Sequence, residues 1–344
     1  MLDLGHLLRR RFVGTRGLGI HTINPRRPLK CNHYGPLQCV SFPSISPGLH
    51  AQLLPFFEAL PSPYSQYERH VVEAQSAVAS HFPSIVISAI RTFTLNPYAP
   101  GALLLSGLPL DPFLPPTPRD GWRSEDKTTF ISEGCLTGIA RLIGEPFGYK
   151  SEKDGEIIHN ICPVQNHERK QSNESSREAL ELHVENASFD FPPDYLALCC
   201  LRQDHDKKAM TTFVDLRYVL AKMSPEDVEI LRKPYFIVPT PESHHAAMGG
   251  EIWSRARPVF ETFENPNLFC HFPGMKALNL QAQKALDSFE NIIRQPGILF
   301  SVKLKPGNVL LLNNRKVAHG RTCFEPRYDG TDRWLQRIYI RALQ

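Results

Sequence analysis

The second half of the chain contains a series of short runs rich in β-branched and aromatic residues, and this pattern restricts the fold more than any other feature of the sequence. The runs are EIIHNICPV, DYLALCCLR, MTTFVDL, PYFIVPT and RPVFETF. Runs of this length and composition are typical of β-strands. The segment ILFSVKLKPGNVLLLNN predicts two more strands joined as a hairpin, with Pro306, Gly307 and Asn308 in the turn. Many short strands predict an α+β domain built around a β-sandwich or barrel.

Helical patterns lie before and between these strands. SQYERHVVEAQSAVASHF has helical spacing, and EGCLTGIARLIGEPFGY predicts a helix that ends at Gly144 and Pro146. SPEDVEILRK predicts a helix with Ser224 as its N-cap, and residues 278–293 predict another helix by their spacing. In contrast, GALLLSGLPL is typical of a buried strand.

The N-terminal part of the chain differs from the rest in both charge and proline content. Seven basic residues and one acid give residues 1–30 a charge of +6, which leaves −2 for the remainder. Eight prolines between residues 22 and 65 disfavour long helices, so regular structure should begin only after them. We expect a basic and then proline-rich extension over residues 1–65, partly wrapping or flexible, and a single domain over residues 66–344. The arginine-rich start is compatible with a transit peptide, a flexible arm or a misassigned start codon.

The body of the chain is nearly neutral, so its charge gives no support for a nucleic-acid partner. No run approaches the ~18 apolar residues of a membrane helix, and the start lacks the apolar core of a secretory signal. The eight cysteines show no C-x-x-C spacing, which predicts reduced and mostly buried thiols. Together these features predict a soluble cytoplasmic protein without a nucleic-acid or membrane partner.

The stretch LELHVENASFD places His183 and Glu185 two residues apart. In an extended strand both side chains project from the same face. Such a pair is either half of a metal site or a simple hydrogen-bonded pair. Far downstream, His319 follows a predicted strand and precedes Gly320, which allows close approach of another group. Two histidines and one carboxylate form the facial triad of non-haem Fe(II) oxygenases, so we consider His183, Glu185 and His319 a candidate triad.

The last predicted strand, DRWLQRIYIR, places Arg333, Arg337 and Tyr339 on one face. The rise of a strand separates the two arginines by about 13 Å. Guanidinium groups bind carboxylates through a planar fork, so two inward arginines predict two carboxylate-bearing ligands, such as a 2-oxo-dicarboxylate and an amino acid. Alternatively, these arginines form salt bridges with Asp329 or Asp332.

Read as a whole, VAHGRTCFEPRYDGTDRWLQRIYI resembles the C-terminal signature of the clavaminate synthase-like family of Fe(II)/2-oxoglutarate oxygenases, especially its free amino-acid hydroxylases. LHVENASFDFPPDYLALCCLRQD and then MTTFVDL resemble the first metal-ligand strand of that family and the region that follows it. The resemblance covers residues 100–344 and finds no counterpart for residues 1–65. It implies a double-stranded β-helix, or jelly-roll, core flanked by helices.

The resemblance also implies roles for individual residues. It assigns iron binding to the candidate triad, binding of the 2-oxoglutarate carboxylate to Arg333 and Thr211, and binding of the substrate α-carboxylate to Arg337. Val184 stands where the family usually has threonine. Glu152 stands where the family often offers a glutamine to the substrate amine, which leaves its role open.

The implied reaction is hydroxylation of the β or γ carbon of a free L-amino acid. Fe(II) is the cofactor, 2-oxoglutarate and O2 are consumed, and succinate and CO2 are released. Glu242 stands where arginine hydroxylases of the family have an acid, whereas Cys270 and His271 stand where those enzymes have further aspartates. A single acid suits an ammonium better than a guanidinium, so we expect lysine ahead of arginine as the substrate. We expect His271 to be structural.

Three alternatives stay open on the sequence alone. The same cofactors also support desaturation or cyclisation of the substrate. An amino acid tethered to a carrier protein is a further alternative, although Arg337 argues against it because a thioester has no free carboxylate. A metal-free module in which the two arginines bind a small acidic ligand is the non-enzymatic alternative. The sequence does not indicate the oligomeric state.

Overall fold

Antiparallel sheets form the centre of the computed structural model, which describes residues 44–262, 266–272 and 274–343. The strands are β1 (Ala102–Leu105), β2 (Gly144–Phe147), β3 (Ile158–Ile161), β4 (Leu180–His183), β5 (Tyr195–Arg202), β6 (Thr211–Asp215), β7 (Phe236–Ile237), β8 (Lys276–Ala277), β9 (Phe300–Val302), β10 (Val309–Asn313), β11 (Val317–Arg321) and β12 (Trp334–Ala342). The larger sheet has the order β1, β10, β5, β12 and β2, with β3 also paired to β12. The smaller sheet has the order β4, β11, β6 and β9, and β7 pairs with β8.

Helices lie mainly before the strands and between β6 and β9. They are α1 (Pro47–Glu58), α2 (Tyr67–His81), α3 (Ser84–Leu95), α4 (Ile131–Ile143), α5 (Leu216–Leu220), α6 (Pro225–Leu231), α7 (His245–Met248) and α8 (Leu280–Ile293). The four helices predicted from spacing are confirmed as α2, α4, α6 and α8. The cap of α6 also forms as predicted, because the Ser224 hydroxyl accepts a hydrogen bond from the Asp227 N–H at 3.1 Å.

The two main sheets pack face to face, and helices cover their outer faces. Alternate residues of β5 show this arrangement. Leu196 and Leu198 lie in the core between the sheets, whereas Ala197 and Cys199 lie in the core beneath the N-terminal helices. A strand buried on both faces has a continuous apolar sequence, which explains the unbroken run DYLALCCLR. A third core lies between the smaller sheet and α5, α6 and α8. The predicted α+β sandwich is confirmed.

The hairpin predicted from ILFSVKLKPGNVLLLNN is wrong, because its two strands belong to different sheets. β9 pairs with β6 in the smaller sheet, and β10 lies between β1 and β5 in the larger one. At the turn, the Gly307 N–H donates to the Cys200 carbonyl at 3.0 Å, and the Gly307 carbonyl accepts from the Leu108 N–H at 2.9 Å. All of β10 is buried, and only a central position in a covered sheet buries both faces of a strand. Burial therefore decides the partners of β10.

The strand predicted from RPVFETF is also wrong for the residues that the structure describes. Arg257 forms only an isolated bridge with Phe236, and Val259 and Phe260 pack into the core beside the smaller sheet. The Val259 N–H donates to the Leu231 carbonyl at the end of α6 rather than to a neighbouring strand. Burial of apolar side chains thus produced a strand-like pattern without a ladder.

The proline-rich segment lies partly outside the described residues, which begin at residue 44. The expectation that regular structure begins only after residue 65 is wrong, because α1 lies before that position. Pro47 occupies the first turn of α1, where a missing N–H removes no helical hydrogen bond. Leu53 and Phe57 pack into the same core as α4, so apolar burial offsets the unfavourable Pro55 within the helix. The division of the chain at residue 65 stays a prediction.

Within the described ranges, no single helix is long and apolar enough to cross a bilayer. The helices α2 and α3 satisfy the length and composition requirement only as a pair, and they are bent by 114° at the break between them.

Candidate active site

The two histidines of the candidate triad lie opposite each other on neighbouring strands. β4 pairs with β11 so that His183 faces His319, and directly opposite residues of antiparallel strands project to the same side. Their ring centroids are 4.5 Å apart. Glu185 follows β4 by two residues, and its Oε2 lies 3.9 Å from Nε2 of His183 and 3.6 Å from Nε2 of His319. The candidate ligand atoms of the three residues all lie within 4.8 Å of one another. With metal–ligand bonds of ~2.1 Å, a small adjustment of the side chains lets one ion contact all three.

Hydrogen bonds with the backbone hold the triad in this arrangement. Nδ1 of His183 lies 2.9 Å from the Glu181 carbonyl, to which it donates, and this tautomer leaves Nε2 free as a ligand. Asn314 fixes the backbone at Glu185, since its Oδ1 accepts from the Glu185 N–H at 2.9 Å and its Nδ2 donates to the Glu185 carbonyl at 3.1 Å. Asn186 then adopts a left-handed backbone with φ 51°, which turns the chain away after the carboxylate.

The electrostatic state of the triad suits a cation. Burial, together with the nearby His319, lowers the pKa of His183 to about 3, so its imidazole is neutral. Burial alone would raise the pKa of Glu185, but the Arg337 guanidinium and the two histidines hold it well below its usual range. Nδ1 of His319 is buried and has no hydrogen-bond partner among the described residues. Two imidazole nitrogens and one carboxylate oxygen form the ligand set of Fe(II) oxygenase sites, so these residues fit an iron ion.

Arg337 on β12 is enclosed by acceptors. Its Nη1 donates to Oε1 of Glu185 at 3.1 Å, and its Nη2 donates to Oε1 of Glu152 at 2.8 Å and to Nδ1 of His159 at 2.8 Å. The Tyr339 hydroxyl lies 2.9 Å from Oε2 of Glu152 and 3.0 Å from Oε1 of Glu185. The structure therefore brings the predicted residues Arg337 and Glu152 together with the carboxylate of the candidate triad.

Arg333, immediately before β12, has the opposite environment. It is 7% exposed, and among the described residues its guanidinium has no hydrogen bond and no ion pair. It lies 5.7 Å from the centroid of the Phe324 ring. Burial lowers the pKa of Arg333 although Asp204 opposes this effect. That carboxylate already accepts hydrogen bonds from the backbone N–H groups of Lys208 and Ala209. Within the described residues, Arg333 is a buried cation to which no anion is hydrogen-bonded.

The alternative salt bridges considered for these arginines do not occur in the described part of the chain. Asp332 accepts instead from the backbone N–H groups of Arg327 and Tyr328, at 2.7 and 2.6 Å. Both Asp329 and Asp332 lie 3.5 Å from Nε2 of His205.

A second buried arginine lies close to Arg333. Arg321 also packs against Phe324, and burial together with the charge of Arg333 lowers the pKa of Arg321 to about 9. Its Nη2 donates to the Ser175 hydroxyl at 3.0 Å and to the Glu178 carbonyl at 2.9 Å, not to a carboxylate. Thr211, predicted to bind 2-oxoglutarate, is buried opposite Arg321 in the β6–β11 ladder. Arg321 and His319 are two residues apart on β11 and therefore project from the same face. Thr211, opposite Arg321, lies on that face of the smaller sheet as well.

A cavity adjoins the candidate triad, and its lining includes His183, Glu185, Glu242 and His271. Glu242 lies at the exposed rim, where its carboxylate accepts a hydrogen bond from Nζ of Lys170 at 2.7 Å. The acid that favoured a basic substrate in the sequence is therefore already paired. Burial lowers the pKa of His271 to about 4, so its imidazole is neutral.

Three residues at this site were not identified from the sequence. They are Arg321, His159 and Asn314. The signal for Arg321 was present, because an arginine two residues after a candidate ligand on a strand shares its face. His159 and Asn314 carry no comparable signal, since their partners lie at distant positions in the chain.

Known proteins resemble the chain over most of its length. The family model described as "Taurine catabolism dioxygenase TauD, TfdA family" matches residues 130–339. L-asparagine oxygenase from Streptomyces coelicolor is 31% identical over 270 residues, which cover 78% of this chain and 79% of that protein. Clavaminate synthase 2 from Streptomyces clavuligerus is 30% identical over 305 residues, which cover 85% of this chain and 89% of that protein. Among solved structures, the non-heme iron oxygenase OrfP in complex with Fe and alpha-ketoglutaric acid has a TM-score of 0.76 and 26% identity, and the match covers 88% of this chain and 94% of that one.

Proposed function

The chain belongs to the TauD/TfdA dioxygenase family, and from this premise we propose that it hydroxylates an unactivated C–H bond of a free L-amino acid. It is an Fe(II)/2-oxoglutarate-dependent oxygenase with a jelly-roll core, as the resemblance implied. O2 is the oxidant, and succinate and CO2 are the co-products. The observation that carries the proposal is the convergence of His183, Glu185 and His319 on a common point.

We assign iron binding to Nε2 of His183, the carboxylate of Glu185 and Nε2 of His319. Iron, when bound, supplies the chemistry that couples oxidative decarboxylation of 2-oxoglutarate to hydroxylation of the substrate. The chain supplies the ligands and excludes water from them, since all three side chains are largely buried. The Glu181 carbonyl keeps the His183 proton on Nδ1 and thus keeps Nε2 available.

We assign the distal carboxylate of 2-oxoglutarate to Arg333 and Thr211. Arg333 is buried, and no carboxylate of the described residues pairs with it. An unpaired buried charge is strongly unfavourable unless a ligand compensates it. A dicarboxylate bound there removes that penalty. Arg321 adds a second positive charge nearby, which strengthens the attraction for an anion.

We assign the substrate α-carboxylate to Arg337 and the α-ammonium group to Glu152. Glu152 already accepts a hydrogen bond from the guanidinium of Arg337, so the substrate has to share or replace this contact. Nε of Arg337 is buried and has no hydrogen-bond partner in the described part of the chain, so this donor is available to a ligand. A zwitterion matches this site because it offers an anion to the arginine and a cation to the carboxylate.

The expected position of attack is the β or γ carbon, and the sequence favoured a basic substrate, lysine ahead of arginine. That preference depends on Glu242. It requires the substrate cation to replace Lys170, which holds the Glu242 carboxylate at the rim of the cavity. One ion pair of Glu242, with Lys170, would be replaced by another, with the substrate. The exchange therefore gains little free energy for binding a basic side chain.

The proposal is tested with protein reconstituted anaerobically with Fe(II) and then given O2, 2-oxoglutarate and each free L-amino acid in turn. We expect succinate in proportion to a product heavier by one oxygen atom. A product lighter by two hydrogen atoms would instead indicate desaturation or cyclisation. Succinate without any modified free amino acid would indicate a carrier-tethered substrate, and no succinate under any condition would contradict the proposal.

A further inference from the structure

Among the described residues that line the cavity beside the candidate triad, neither carboxylate is free to bind a substrate cation. Of the acids in its described lining, Glu185 is bonded to Arg337, and Glu242 is bonded to Lys170. Glu185 is also the carboxylate assigned to iron. A lysine or arginine side chain placed in this cavity would therefore lose its hydration without gaining an unpaired anion, which is unfavourable.

Two serines in the described lining of the same cavity carry hydroxyls that no described residue satisfies. The hydroxyls of Ser172 and Ser188 are buried, and neither has a hydrogen-bond partner among the described residues. Buried hydroxyls without partners are rare in proteins, and a ligand is one of the ordinary ways in which they are satisfied. Each hydroxyl can both donate and accept, so the pair suits a neutral group that does the same.

His271 also lines this cavity and lies next to His183 of the triad, whereas the Glu242 side chain is about half exposed. It forms an antiparallel bridge with His183, supported by a hydrogen bond from the Val184 N–H to the Cys270 carbonyl at 2.7 Å. Opposite residues project to the same side, and the rings of His271 and His183 are 6.2 Å apart. The His271 ring has no hydrogen bond to any other described residue. The two ring nitrogens of an imidazole can serve a ligand as hydrogen-bond donor and acceptor.

We propose that the substrate side chain ends in an uncharged hydrogen-bonding group, with a carboxamide as the best match, and that His271 is the specificity-determining residue that binds it. A carboxamide carries an N–H donor and a carbonyl acceptor, which complement the imidazole and the two serine hydroxyls. This inference rests on the proposed function, because it concerns the substrate of the same site. It opposes the preference for lysine, and it gives His271 a role beyond the structural one expected from the sequence.

The first test compares amino acids that differ in side-chain charge but little in shape. The pairs are L-asparagine with L-aspartate, L-glutamine with L-glutamate, and L-citrulline with L-arginine, with L-lysine assayed alongside. We expect the neutral member of the preferred pair to have a kcat/KM at least roughly tenfold higher than that of its charged partner and of lysine. A higher kcat/KM for arginine or lysine overturns this inference and leaves the proposed function intact. Absence of turnover with every amino acid overturns both.

The second test moves a charge into the cavity. His271→Asp places a free carboxylate beside the triad, and we expect it to lower kcat/KM for the preferred neutral substrate and to raise it for lysine or arginine. His245→Asp is the matched control, because His245 lies on α7 outside the described lining of the cavity. We expect this control to leave the ratio of neutral to cationic turnover unchanged.

Binding measurements separate this effect from damage to catalysis. We would titrate the preferred substrate, without O2, into Fe(II)- and 2-oxoglutarate-loaded wild type, His271→Asp and the milder His271→Asn in a calorimeter. We expect weaker binding in both variants, with more of the affinity for the neutral substrate retained by His271→Asn. Unchanged affinity in both variants overturns the role of His271. If Glu242→Gln, with His271 intact, no longer discriminated between neutral and cationic amino acids, specificity would instead be assigned to Glu242 at the rim of the cavity.

Discussion

Arg333 immediately precedes β12 and Arg337 lies within it, four residues later. Both are buried, but their surroundings are opposite. Arg337 contacts two carboxylates, Glu152 and Glu185, whose charges raise its pKa although burial opposes this. Burial lowers the pKa of Arg333, which faces an aromatic ring and has Arg321 as a charged neighbour. A buried charge persists only where something compensates it. The fold compensates Arg337, whereas no anion pairs with Arg333 among the described residues. This difference is the basis for our proposal that Arg333 binds the cosubstrate anion.

The largest expected effect comes from removing the iron site while leaving both arginines in place. His319→Ala deletes one of the three proposed ligands, and we expect turnover to fall by more than roughly a hundredfold. Coupled succinate production measures this loss. Circular dichroism should show an intact fold. Full activity in this variant would contradict the assignment of the triad, and His245→Ala serves as a control histidine outside it.

Arg337→Leu should destabilise the protein strongly. The substitution leaves the carboxylates of Glu152 and Glu185 buried without their cation, and breaking a buried pair in this way typically reduces the free energy of unfolding by ~3–5 kcal/mol. Urea unfolding of the metal-free protein measures the change. A loss below about 1 kcal/mol would show that these carboxylates have other compensation and that the contrast with Arg333 is smaller than the structure indicates.

Arg333→Leu should have the converse effect. No anion within the described residues is left unpaired by this substitution, so we expect the stability of the metal-free protein to be unchanged or higher. The affinity for 2-oxoglutarate should fall by roughly 30-fold to 100-fold, which corresponds to about 2–3 kcal/mol. Anaerobic calorimetric titration measures this loss, and Arg333→Lys should recover part of the affinity. A stability loss equal to that of Arg337→Leu, with unchanged affinity, would remove the basis of the comparison.

We expect a smaller change in stability from the titration of His159, which contacts Arg337. His159 accepts a hydrogen bond from Arg337 through Nδ1, and burial lowers its pKa from 6.5 to about 4. At a pH between about 4 and 6.5, His159 binds a proton in the unfolded chain but not in the folded chain. The contribution of His159 to stability is therefore complete above pH 6.5 and declines as the pH falls towards 4.

Urea unfolding at several pH values measures this dependence. We expect His159 to account for roughly 2 kcal/mol of the stability lost by the metal-free protein between pH 6.5 and 5. His159→Asn keeps an acceptor near Arg337 but cannot titrate, so its stability should depend less steeply on pH. Identical slopes in wild type and variant would show that His159 does not titrate in this way.

Local patterns were sufficient for much of the fold. Period-two alternation placed Arg333 and Arg337 correctly on a buried face, and the Ser224 cap identified the start of a helix. The same local rules failed for the turn at Gly307, because the partners of β9 and β10 are set by which sheet can bury them. That choice depends on residues far away in the chain, which no local window contains.

The ion pairs of the site could not be predicted from the sequence either. Glu242 looked like a free acid for a basic substrate, yet its partner, Lys170, lies 72 positions earlier. The partner of Arg337, Glu152, lies 185 positions earlier. A sequence shows which side chains carry charge, but only the fold determines which charges compensate each other. The substrate preference was therefore the part of the site that the sequence could least determine.

The most direct measurement is an anaerobic optical titration of 2-oxoglutarate into Fe(II)-loaded protein, because the chelate absorbs visible light when both components share one site. We expect a saturable visible band in the wild type, no band in His319→Ala, and a band in Arg333→Leu that requires roughly 30-fold or more 2-oxoglutarate. No band in the wild type would contradict the iron site. Equal affinities in wild type and Arg333→Leu would contradict the proposal that Arg333 is the buried cation that a ligand completes.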